Sequence, residues 1–194
     1  MSPKAQQTFH HILDSAMACY LAKGVNRTTL DDVARKGNVS RTTLYRYIKN
    51  GDDLLHQVLI RDAGERLTEC EQAMRYHNNL ASTLVDSILF FMRGRSSRPV
   101  FQLLFENQQS DVNSKLRLTP DMFRPMTIKI LEPFFQREQE KNNIRPGVTL
   151  EMATELICRI TLSLMTFPAQ FINDEKALRQ FLETILVPVI VNRT

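Results

Sequence analysis

The sequence predicts an all-α fold: a small three-helix domain at the N-terminus, followed by a larger helical bundle. Three observations carry this expectation. Leu, Ile, Met and Phe recur three and four residues apart, and no stretch alternates with period two. Six Gly and eight Pro in 194 residues are too few for a loop-rich chain, and 43% hydrophobic residues suffice for a core. The charge is uneven: residues 1–50 hold eight Lys and Arg against three Asp, while the whole chain nets only +4. A basic head on a near-neutral body suits a module that binds a polyanion.

The first helix carries Phe9, Ile12, Leu13, Ala16, Met17, Tyr20 and Leu21 on one stripe. Gly24 follows as a C′ residue that accepts positive φ. Thr29-Leu30-Asp31-Asp32 announces a second helix. The Thr29 side chain accepts from the first-turn amides, and Asp32 returns a bond. Leu30, Val33 and Ala34 form its short apolar face, and it stops near Lys36. Gly37-Asn38-Val39-Ser40 then reads as a tight turn, because Gly and Asn tolerate left-handed backbone. Ser40 is the N-cap of a third helix over residues 41–49, and Val39 with Leu44 forms a hydrophobic staple. Two short helices joined in this way make a helix-turn-helix.

The third helix turns Leu44 and Ile48 to the core. Arg41, Thr42, Thr43, Tyr45, Arg46 and Tyr47 are left for its other faces. A helix in a major groove uses such a set. Arg pairs with guanine edges and the Thr methyl touches thymine. Tyr hydroxyls and the amides beyond Ser40 meet phosphates. The competing use of Tyr45 and Tyr47 is packing against neighbouring helices. A fourth helix starts after Asn50, with Leu54, Leu55, Val58, Leu59, Ala63 and Leu67 inward. The predicted domains are residues 1–50, the head, and 51–194, the body.

The run from Ile12 to Leu55, with its pieces TTLDDVA, VSRTTLYRYI and DDLL, resembles the DNA-binding region of the TetR (tetracycline-repressor-like) family. The likeness covers about a quarter of the chain. It implies that Thr29 lies near the DNA backbone, that Arg41, Thr42, Thr43 and Tyr45 face the groove, and that Tyr47 sits on a phosphate. The family pattern has Gly where Asn38 stands, Phe where Ile48 stands and Lys where Gly51 stands. The last departure removes an expected phosphate contact, which Lys49 is placed to replace. The resemblance also implies a homodimer on a roughly palindromic double-stranded operator, and a regulator, expected to be a repressor, relieved by a small apolar or amphipathic effector.

In the body, Leu80, Leu84, Val85, Ile88, Leu89 and Met92 form a stripe that Arg93–Arg98 breaks. That arginine run reads as a solvated loop. Pro99 opens a further helix, residues 108–118 read as a loop, and Thr119-Pro120 as an N-cap and N1 pair. Pro133 is expected to kink or split the helix that follows. Thr149 and Asn173-Asp174 begin the last two helices. Their residues Leu156, Ile160, Leu164, Leu178, Phe181, Leu182 and Ile185 are the expected dimer interface, in the manner of a four-helix bundle. A ligand pocket is expected among Phe101, Gln102, Phe105, Glu106, Met122, Phe123, Met126, Arg159 and Met165, since Met and Phe line adaptable apolar sites.

The chain has no GxGxxG, P-loop, GxSxG or HExxH, and its four His lack i,i+4 partners, so an enzyme, a cofactor and a metal are not expected. The three cysteines are far apart and read as buried thiols. A polar start and the lack of a long apolar run predict a cytoplasmic protein with no membrane segment. The rival readings are a DNA-binding regulator without effector, and a helical adaptor or enzyme that kept the fold but not DNA binding.

Overall fold

The computed structural model describes residues 1–93, 120–167, 172 and 174–192. The described residues are helical, with one isolated antiparallel bridge, Ile144 to Val191, and no strand. They form two compact units, one built on Met1–Ala63 and the other starting at Gly64.

In the first unit α1 spans Pro3–Lys23, beginning six residues before the apolar stripe. Ser2 Oγ accepts from the Ala5 amide at 3.3 Å, and Pro3 occupies the first turn, where its missing N–H costs nothing. Gly24 ends the helix at φ 84°, and its amide donates to the Tyr20 carbonyl at 2.8 Å. A 3₁₀ turn, Val25–Arg27, leads to α2, Leu30–Lys36. After α3, Arg41–Tyr45, comes α4, Gly51–Met74.

The third helix is shorter than its apolar spacing suggested. The Leu44 carbonyl accepts from both the Tyr47 and Ile48 amides, at 2.9 and 3.0 Å, and this sharing closes the helix. Lys49 and Asn50 then serve the next one. Asn50 Oδ1 accepts from the Asp53 amide at 2.8 Å, and the Asp53 carboxylate accepts from the Lys49 amide at 2.7 Å. Leu54, Leu55, Val58 and Leu59 are buried, and the first compact unit runs through Ala63. Arg61 ties this stretch to α1, donating to Asp14 at 2.7 Å and to the His10 carbonyl at 3.2 Å.

The second unit holds α5, Leu80–Met92; α6, Pro120–Glu140; α7, Leu150–Thr166; and α8, Glu175–Phe181. A π-helical stretch, Leu182–Leu186, continues into α9, Val187–Ile190. Asn79, Thr149 and Asp174 are N-caps for α5, α7 and α8. The core gathers Leu84 and Ile88 of α5, Leu131 and Phe134 of α6, Ile157 of α7, and Leu178, Leu182, Leu186 and Ile190.

Three expectations change here. Pro133 does not split α6, which runs unbroken through Pro125 and Pro133. Pro133 lies on the exposed side while Leu131, Phe134 and Phe135 are buried around it, so core packing holds the helix across the missing donor. Arg93, expected in a solvated loop, caps α5 and forks onto Glu175, with Nε 2.7 Å from Oε2. The hydrogen bond from Arg93 holds Glu175 below its usual range. Finally, Leu178 and Leu182 belong to the core of the single chain. They recur with Leu186 and Ile190 every four residues, while Phe181, Ile185 and Val189 recur every four on the exposed side. An α-helix would drift off a four-residue repeat; the wider i→i+5 winding just before Pro188, which lacks a donor, keeps both rows aligned.

Cys19, Cys70 and Cys158 are all buried and unpaired, and burial pushes the Cys70 thiol up to about 12.

Candidate nucleic-acid interface

The head holds its two short helices in register by caps and one close approach. Thr29 and Asp32 form the reciprocal capping box: the Asp32 amide donates to Thr29 Oγ1 at 3.2 Å, and the Thr29 amide to Asp32 Oδ2 at 2.9 Å. Lys23, at the end of α1, pairs with the same carboxylate. The hydrogen bonds from Lys23 and then Thr29 hold Asp32 far below the usual carboxylate range.

The turn divides its work between two residues. Asn38 takes the left-handed conformation at φ 49°, whereas Gly37 sits at an ordinary φ of −83°. Gly37 is needed for space. A Cβ there would lie 2.8 Å from Ser15 Oγ and 3.3 Å from the Val33 carbonyl. Its own carbonyl accepts from His11 Nε2 at 2.8 Å, which requires the proton on Nε2. Thus α1 grips the turn directly, a contact that no local sequence pattern signals.

Ser40 caps α3, accepting from the Thr43 amide at 3.0 Å. Leu44 and Ile48 are fully buried, as their spacing predicts. This turns Arg41, Thr42, Tyr45 and Arg46 outward, and all four are exposed, as are Thr29, Ser40 and Lys49. Thr43 is half-buried, and its hydroxyl lies 2.9 Å from Ser40 Oγ, so it supports the cap. Of the two tyrosines, Tyr45 is 56% exposed. Tyr47 is half-buried, its ring 6.0 Å from that of Phe9, with the Arg46 guanidinium 5.4 Å from its centroid. Packing thus claims the ring of Tyr47 and not that of Tyr45. Arg41 is not isolated either: its Nη2 pairs with Asp31 on α2. At Gly51 nothing lies within 4 Å of where a Cβ would stand, so the family's lysine would fit there.

The expected ligand residues are less gathered. Phe101, Gln102, Phe105 and Glu106 lie outside the described residues, as does the side chain of Met122. Phe123 and Met126 are half-buried against Leu67, Cys70, Met74 and Ile130. Met165 is half-buried, but Arg159 points to the surface and pairs with Glu155 at 2.6 Å. Its long side chain follows the outer row of α7, away from the core row of Ala153 and Ile157. Among the described residues no group of three His, Cys, Asp or Glu could hold a metal ion, and no helix is long and apolar enough to cross a membrane.

A basic, capped helix-turn-helix with an outward Arg, Thr and Tyr face defines the head as a DNA-binding domain of the kind found in transcriptional regulators. Residues 12–58 match the family model of bacterial regulatory proteins, tetR family. It is 37% identical over 65 residues to the HTH-type transcriptional regulator YvkB of Bacillus subtilis, covering 34% of each protein. It is 25% identical over 104 residues to AcrR of Shigella flexneri, an HTH-type transcriptional regulator, covering 53% of this chain and 48% of that one. The matches thus span a third to a half of these relatives. The fold likeness reaches further: FadR of Bacillus subtilis, solved in complex with stearoyl-CoA, superposes with a TM-score of 0.62 over 94% of this chain and 97% of its own, at 18% identity.

Proposed function

We propose that this protein is a sequence-specific DNA-binding transcriptional regulator, a repressor that a small-molecule effector releases from its operator. The observation that carries the reading is the sidedness of α3. Leu44 and Ile48 are buried, while Arg41, Thr42, Tyr45 and Arg46 are exposed behind a turn fixed by Asn38, Ser40 and the Thr29–Asp32 box. Arg41, Thr42 and Tyr45 read base edges. Thr29, Ser40, Arg46, Tyr47 and Lys49 meet the backbone and set register.

The protein acts as a homodimer, since one short recognition helix reads too few bases and a pair reads two half-sites one helical turn apart. The exposed apolar row Phe181, Ile185 and Val189, together with the exposed Met152, supports an interface on the C-terminal helices. Leu156, Ile160 and Leu164 of α7, each half-buried against the core, are further members of this interface. The effector is apolar or amphipathic. The half-buried Phe123, Met126 and Met165 support this, as does the stearoyl-CoA held by the similar structure. The protein works in the cytoplasm, where its operator is.

Fluorescence anisotropy with duplexes from around its own gene tests the reading. The expected result is selective binding to one roughly palindromic site that weakens steeply with salt, with a log–log slope of about −0.9 per phosphate contact. Absence of binding to every duplex at low salt would overturn it.

A further inference from the structure

The pairing of Arg41 with Asp31 joins the first residue of the recognition helix to the first turn of α2, across the tight turn. Resting on the DNA-binding reading above, we propose that Asp31 is a specificity-determining residue: its carboxylate positions Arg41 for a base edge and keeps it from phosphates on unrelated DNA.

The surroundings support this use. Asp31 is the second residue of α2, two beyond Thr29, and its side chain is 41% exposed, so the carboxylate lies at the surface that would meet DNA. An acid beside Arg41 opposes the approach of a phosphate to that guanidinium. The neighbouring carboxylate is otherwise engaged. Asp32 is held by Thr29 and Lys23 and closes the capping box. Asp31 makes no part of that box, so its acid is not required to cap the helix.

The chemistry of the pair gives selectivity. The Arg41 side chain is 71% exposed, and Asp31 engages it through Nη2. A guanidinium has five N–H donors in a planar fork, so a partner on Nη2 orients the plane and leaves donors for a second acceptor. Guanine offers O6 and N7 side by side, and the fork meets both. A phosphate offers a full negative charge, which the nearby Asp31 carboxylate repels. The specific contact therefore keeps its geometry, while the non-specific contact is weakened.

Asp31→Asn keeps the shape and removes the charge. Anisotropy titrations of wild type and variant, each against the selected site and against a scrambled duplex, read the ratio of the two affinities. The expected result is a several-fold gain in affinity for the scrambled duplex, with a salt slope steeper by about 0.9, one added phosphate contact. The selected site should gain nothing, so the ratio falls. Asp31→Glu restores the charge and most of the ratio. In an Arg41→Ala background, Asp31→Asn should leave the ratio unchanged. Equal gains on both duplexes would overturn the proposal by showing a bulk charge effect. So would a ratio that Asp31→Asn leaves at the wild-type value while Arg41 is present and the helix content is intact. If wild type bound neither duplex, the DNA-binding reading itself would fall, a result distinct from either.

Discussion

Replacing Gly37 with Ala tests whether the tight turn depends on its closeness to α1. Backbone strain is not at issue, because φ at Gly37 is −83°, which alanine adopts readily. The added methyl would stand 2.8 Å from Ser15 Oγ and 3.3 Å from the Val33 carbonyl, where carbon needs about 3.5 Å or more. Neither neighbour yields easily. Ser15 is buried, and its hydroxyl donates to the His11 carbonyl at 2.8 Å, while the Val33 carbonyl accepts the Gly37 amide at 2.9 Å. Overpacking of this kind costs about 1–3 kcal/mol. Native-state hydrogen exchange of amides in α1 to α3 reads the cost within the head, roughly tenfold faster exchange for each 1.4 kcal/mol. Ser15→Ala removes the nearer obstacle, so the double variant should recover most of the loss, while Ser15→Ala alone costs less than about 1 kcal/mol. The coupling between the two substitutions is then the quantity measured. If Gly37→Ala exchanges like wild type, or if Ser15→Ala fails to rescue it, the close approach is not what the glycine serves.

At Asn38 the demand is the opposite one. Its φ of 49° favours Gly or Asn, so Asn38→Gly should be close to neutral and Asn38→Ala should cost about 1–2 kcal/mol by the same exchange measurement. In the second unit Asp86 receives His77 Nε2 at 2.8 Å and also pairs with Arg179. Burial acts to raise its pKa, but the hydrogen bonds from His77 and Arg179 outweigh that and hold it below the usual value. A depressed carboxylate stabilises fully above its unfolded pKa of about 3.9 and progressively less as pH falls through its folded one. Asp86→Asn should therefore cost about 1.5–3 kcal/mol at neutral pH in a urea titration, and the deficit should shrink below about pH 4. On DNA, Arg41→Ala should cost about 1–3 kcal/mol at the selected site and relax its base preference. Tyr47→Phe should weaken all duplexes alike, and competition titrations separate the two behaviours.

Caps and periodicity were the legible part of this fold, because both are local. Thr29, Ser40, Asn50, Thr149 and Asp174 each bond an amide within three residues, and the sequence shows donor and acceptor together. The inward rows of α4, α5 and α8 follow for a similar reason, since burying one stripe is the main source of helix stability in a folded chain. Misreadings arose where a pattern had two solutions. The rows Leu178–Ile190 and Phe181–Val189 are equally apolar, and only the packed chain separates core from surface. Pro133 removes one amide donor from its helix, but burial of Leu131, Phe134 and Phe135 decides whether the helix breaks.

The interface was legible by residue type and not by pairing. Which side chains face outward followed from Leu44 and Ile48, whose burial leaves the rest of α3 exposed. What each outward group touches depends on residues far along the chain. Arg41 meets Asp31 ten positions back, Tyr47 meets Phe9, and the turn carbonyl at Gly37 meets His11. These partners make different demands on the same helix. Phe9 and His11 fix where α3 sits against α1, and any stable head needs such contacts. Asp31 stabilises little, being exposed and screened, and it sets a negative charge on a surface whose business is attraction. An acid in that position costs affinity for unrelated DNA, where Arg41 would otherwise meet a phosphate. Its benefit lies in discrimination, where the measured quantity is a ratio of affinities and not their sum.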